Sequence, residues 1–244
     1  MIKLLDEKEN ISFEELATNY QECLRDGAYD LKYVFMGQED LKSILDGLSK
    51  TQIEKLKEEY ATLDKAVLYL SFLHGPDHIE RTLFWTFLLS EQYLSSDTDK
   101  RIVLDAAKYH DIGRRNDCED RIHGKLSAEK VGALLTNPIY ESQENRKLLC
   151  AIIELHSLND EEEKKVVQRY RLTNLGSFIT MWRILKDADA LDRIRLSQGL
   201  SKISALNPEY LRLEKSVHFI KASHQLCAYY RQMELEDKKR AFIS

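Results

Sequence analysis

The chain of 244 residues suffices for one domain of generous size, or for one domain with a smaller helical appendage. With 43% hydrophobic and 32% charged residues it can bury a core and stay soluble, and its net charge of -5 leaves no broad basic surface, which argues against a dedicated binder of nucleic-acid polymers. Cys23, Cys118, Cys150 and Cys227 form no CxxC pair, and no apolar run reaches the length of a signal peptide or a membrane span. The expectation is a cytoplasmic protein with reduced thiols and no membrane partner.

Helix formers dominate, with only 9 Gly and 3 Pro, and no alternating strand with a hairpin signal is found, so the expected fold class is all-α. In chain order, helices are expected over 12–26, 39–48, 51–72, 76–94, 98–110, 125–136, 144–157, 160–171, 175–188 and 208–235. Pro76 suits the first turn of a helix, where a missing N–H costs nothing. Residues 1–65 are charged and amphipathic and hold no histidine. They read as an N-terminal helical extension ahead of a main domain over 66–244. Whether this extension covers the core or forms a homodimer interface is left open.

Histidine and aspartate carry the chemical signal. A His-Asp dipeptide alone is weak, since about 0.5 such pairs arise by chance in a chain of this composition. The helix faces add context. His78, Thr82, Trp85 and Leu89 share one face; Val103, Ala106 and Ala107 lead to His110; Phe178, Trp182, Leu185 and Asp189 repeat at the same spacing. Asp111 follows His110 at a helix end, and Asp187 points elsewhere on its wheel. A lone histidine on an apolar face is more often a satisfied core residue than a ligand. Two histidines and two carboxylates aimed at one core are different, because burying the carboxylates is costly without a cation. Such a mixed N/O shell suits a divalent ion with open positions, Mn, Fe, Co or Ni more than a closed structural zinc.

These residues also resemble a known family. His74-Gly-Pro-Asp-His78-Ile-Glu-Arg81, then Tyr109-His-Asp-Ile-Gly-Arg114-Arg-Asn116-Asp117, His123-Gly124, His156-Ser157 and Lys186-Asp-Ala-Asp189-Ala-Leu-Asp192-Arg193 are similar to segments of the HD superfamily of metal-dependent phosphohydrolases. The resemblance covers about residues 70–215. It implies an all-α HD-domain bundle, hydrolysis of a phosphate ester in a nucleotide or other small phosphorylated metabolite, and His78, His110, Asp111 and Asp189 as metal ligands. His123 and His156 match the two extra histidines of two-metal relatives. His123 follows Asp111 by an unusually short spacing, so a second ion and a substrate or general-acid role both stay open. Arg114, Lys125 and Arg193 are the candidate phosphate contacts, and Asn116 and Asp117 could orient substrate or cap a turn. A di-iron oxygenase and a non-catalytic nucleotide sensor are the competing readings.

Overall fold

The computed structural model describes residues 1–16, 38–197 and 206–243. Among them all regular structure is helical and no strand occurs. Most of the expected helix 12–26, and Cys23, lie outside the described residues. The α-helices, in order, are α1 (Ile2–Glu7), α2 (Leu41–Gly47), α3 (Lys50–Ala61), α4 (Pro76–Tyr93), α5 (Asp97–Tyr109), α6 (His123–Val131), α7 (Gln143–His156), α8 (Glu163–Tyr170), α9 (Leu175–Asp192), α10 (Glu214–His218) and α11 (Ile220–Ile243). No described helix is long and apolar enough to cross a membrane.

Two expected helices end differently in the structure. The helix predicted over 51–72 stops at Ala61, because side chains beyond it bond the backbone themselves. Asp64 accepts from the Ala66 N–H and starts a short 3-10 turn, and Ser71 Oγ accepts from the N–H groups of Leu73 and His74. The helix predicted over 208–235 is broken into a 3-10 turn at Pro208–Tyr210, then α10, then α11. Asn207 caps that turn through the Glu209 N–H, and residues 211–213 run on without helix before α10.

The chain divides into two compact units, residues 61–188 and residues 1–60 with 189–244, and the division falls inside α9. In the first unit α4 packs on α5, while α7 packs against α5, α6 and α8. Local signals place these helices: Pro76 opens α4, Ser96 Oγ caps α5 through the Asp99 N–H, and Ser142 Oγ caps α7 through the Asn145 N–H. Phe84, Trp85, Ile102, Val103, Leu149, Ile152 and Phe178 are fully buried, each contributing about 1.5–3 kcal/mol relative to exposure. α4 is buried on every side from His78 to Ser90, so its apolar period does not single out one face.

In the other unit, Leu4, Leu41, Leu45, Leu56, Ile220 and Leu226 are buried. α2 packs on α11, and the Leu41 N–H donates to buried Gln225 Oε1 at 2.7 Å. Lys8 Nζ reaches the Leu45 carbonyl at 2.9 Å, and Lys57 pairs with Asp6 at 2.7 Å.

Candidate metal centre

Two close helix approaches bring the histidines together. Gly113 follows the His110-Asp111 pair, and its N–H donates to Ser127 Oγ at 2.8 Å. A Cβ there would lie 2.4 Å from the Ser127 nitrogen and 2.5 Å from the His123 carbonyl oxygen, so only glycine lets this turn sit against the start of α6. Gly124 does the same between α6 and α7, where a Cβ would lie 2.8 Å from the Glu154 and Ile153 carbonyl oxygens. His123 is thereby held against both Asp111 and His156.

Asp111 is the centre of the cluster. Its Oδ2 lies 3.1 Å from His74 Nδ1, 3.6 Å from His78 Nε2 and 3.8 Å from His110 Nε2, and accepts from Arg114 Nε at 2.9 Å. Its Oδ1 lies 3.1 Å from His123 Nε2 and 3.5 Å from His156 Nε2. His74, His78, His110, Asp111, His123 and His156 are all buried. Burial pushes the Asp111 carboxyl up, but the imidazoles around it, His110 foremost, outweigh this and hold it well below the usual carboxylate range.

The ring tautomers decide what the cluster lacks. Nδ1 of His110 donates to the Ala107 carbonyl at 2.9 Å, Nδ1 of His123 to the Asp120 carbonyl, and Nδ1 of His156 to the Ile153 carbonyl. A carbonyl can only accept, so each Nδ1 carries a proton and Nε2 is the atom each ring turns toward Asp111. Burial, aided by His123 and His110, lowers His156 to about 4, so its ring is neutral. His123 and His156 then face each other Nε2 to Nε2 at 2.9 Å, beside an Asp111 Oδ1 that is buried and accepts no hydrogen bond. Ring nitrogens and a carboxylate oxygen this close in a buried site call for a proton or a metal ion between them.

At His78 and His110 the Nε2 atoms are 3.1 Å apart. There the Thr82 hydroxyl, 3.3 Å from His78 Nδ1, leaves the His78 tautomer free to adjust. Subsets of these donors could hold a metal ion. Bonds of about 2.1 Å put cis donors of an octahedral ion about 3.0 Å apart, against about 3.4 Å in a tetrahedron. His74, His78 and Asp111, and likewise His110, Asp111 and His156, each bring ligand atoms within 4.8 Å of one another.

The structure therefore brings His78, His110, Asp111, His123 and His156 together. It adds His74, which the sequence reading quoted within a motif and assigned no role. The signal available was its spacing of four residues from His78, one helical turn, although Gly75 and Pro76 place it just before the helix. Asp189 is half-buried on α9, at the first residue of the other unit, while Asp187 two residues earlier is fully buried.

The proposed substrate contacts fare unevenly. Arg114 is committed to Asp111 and, more distantly, to the Cys118 carbonyl. Asn116 caps a local turn through the Cys118 N–H, and Asp117 accepts from the Ser71 hydroxyl at 2.5 Å. Lys125 is exposed, 4.0 Å from Glu129, and Arg193 is exposed. Cys118 and Cys150 are free thiols.

Compared with models of known protein families, with curated proteins and with solved structures, the chain matches none. The buried His/Asp cluster, able to bind metal inside a helical fold, stands on its own geometry.

Proposed function

We propose that this chain is an HD-type, metal-dependent phosphohydrolase that cleaves a phosphate ester of a nucleotide or another small phosphorylated metabolite. One observation carries the reading: His123 and His156, each anchored at Nδ1 by a backbone carbonyl, aim their Nε2 atoms at each other beside the unsatisfied Oδ1 of Asp111. Asp111 would be the shared carboxylate of such a centre, with His78 and His110 on its Oδ2 side and His123 and His156 on its Oδ1 side as the residues that would hold divalent ions. Mn, Fe, Co or Ni suits this mixed N/O set better than a closed structural zinc.

A divalent ion held there would lower the pKa of its bound water toward neutrality and polarise a phosphoryl oxygen. The protein's own contribution is orientation. Arg114 and His74 hold Asp111 Oδ2, which leaves Oδ1 turned to the second histidine pair. The carbonyls of Ala107, Asp120 and Ile153 fix three ring orientations and leave Nε2 as the atom each ring presents to the centre. Lys125, exposed on α6, is the candidate to meet substrate phosphate.

The test is elemental analysis of the purified full chain, with phosphate release measured over a panel of nucleotides and sugar phosphates. Close to two divalent ions per chain are expected, falling to about one in His123→Ala with release lost. A fully loaded protein that releases no phosphate from the panel sinks the reaction and spares the metal centre. The pairing of His123 with His156 also favours a second reading, a di-iron oxygenase, which two irons per chain with substrate-dependent O2 uptake would establish.

A further inference from the structure

We propose that Phe72, with Leu70 and Ile122, forms an apolar rim at the metal centre that takes the base of a nucleotide. The inference rests on the phosphohydrolase reading and narrows its substrate to a nucleoside phosphate. Among the described residues eight large apolar side chains are exposed, and these three fall in the two segments that flank Asp111. Leu70 is 81% exposed, Phe72 69% and Ile122 56%.

The chain fixes how near they stand. His74 Nδ1 lies 3.1 Å from Asp111 Oδ2 and His123 Nε2 lies 3.1 Å from Oδ1, so the two histidines take the two oxygens of one carboxylate. Phe72 precedes His74 by two residues, a span of at most about 7 Å, and Ile122 adjoins His123. A hydrogen bond ties the two segments together, Ser71 Oγ donating to Asp117 Oδ1 at 2.5 Å. The same Ser71 oxygen accepts from the N–H groups of Leu73 and His74. A Cβ on Gly75 would lie 2.1 Å from the Ser71 carbonyl oxygen, so the turn that carries Phe72 closes tightly. An aromatic ring carried on such a turn loses little freedom when a ligand stacks on it.

Area and chemistry choose the occupant. Even an aromatic side chain has only about 150–250 Å2 to bury, so three partly exposed side chains fall short of the roughly 800 Å2 that each partner gives to a stable protein interface. They match one planar ring system instead. Phe72 offers a face for stacking, with Leu70 and Ile122 as apolar neighbours, which suits a base and gives a bare sugar phosphate nothing. Lys125 follows Ile122 by three residues, about one helical turn, so a cation for the phosphate and an apolar side chain for the base leave the same end of α6.

Adenosine, which holds a base and has no phosphate to lose, separates this site from the reaction. Titrated into the full-length protein as purified and followed by 1H–15N spectra, it should give saturable shifts at Phe72 and Ile122, and ribose at equal concentration should not. Phe72→Ala should weaken adenosine binding about tenfold, the loss of one base–aromatic stack, while Phe72→Tyr keeps it. Ile122→Ser, at a second exposed position, should weaken it several-fold and guards against a folding defect in the first variant. No saturable shifts at Phe72 and Ile122, shifts that Phe72→Ala leaves unchanged, or a dimer that Phe72→Ala dissolves would each overturn the proposal, whatever the phosphate assay shows. Adenosine binding that weakens in Phe72→Ala beside a silent phosphate panel sinks the reaction and keeps the base site.

Discussion

Asp111 divides its two oxygens between different neighbours. Oδ2 is held by Arg114 and His74, while Oδ1 faces only imidazole nitrogens. Removing a group that orients a ligand typically costs about 10–100-fold in metal affinity. Arg114→Ala should therefore raise the metal dissociation constant by about that factor with the ion count at saturation unchanged, measured by competition with a chelator. His224, in the other unit, supports a pH prediction. Burial, with Arg231 adding to it, lowers its pKa from 6.5 to about 3. Between those values the unfolded chain binds a proton that the folded chain refuses, so stability is full above pH 6.5 and is lost as pH falls toward 3. Urea midpoints measured from pH 7 to pH 4 should fall, and His224→Leu should flatten that slope.

Helix pairing positions the ligands, and glycine sets how closely the helices approach. At Gly124 an added methyl meets the carbonyls of Ile153 and Glu154 on α7, backbone that cannot swing aside. Gly124→Ala should cost about 1–3 kcal/mol through forced separation of α6 and α7. Because His123 and His156 sit on those two helices, the same variant should lose metal stoichiometry, which a thermal melt paired with elemental analysis will show. The caps of α5 and α7 act more locally: they fix where each helix begins, and so which residues come round to the inner face.

Across the chain, the N-terminal residues share a compact unit with the C-terminal helices. Glu39 and Leu41 reach across this sequence gap, with the Glu39 N–H on the His218 carbonyl and the Leu41 N–H on Gln225 Oε1. Gln225 is buried, so truncating it strands a backbone donor at the start of α2. Gln225→Ala should cost about 1–3 kcal/mol and speed amide exchange at Leu41 while leaving exchange in α7 unchanged. Equal acceleration in α7 would mean that the two units unfold as one.

Helicity, the His110-Asp111 pair at a helix end and the starts of α4, α5 and α7 were legible in the amino-acid order, because caps, Pro76 and apolar period act over a few residues. His78, His110 and the pull of His123 and His156 toward Asp111 were legible only as candidates. Period could not separate faces on α4, which is buried all round, nor rank Asp187 against Asp189 by burial. The early stop of α3 and the break between α10 and α11 were hidden, since each depends on which side chains cap which amides. Each ring's Nδ1 contact to the carbonyl three residues before it is local, whereas tertiary structure alone decided the convergence: packing at Gly113 and Gly124 brings the Nε2 atoms of His123 and His156 to Asp111, whose two oxygens a dipeptide's spacing could not assign.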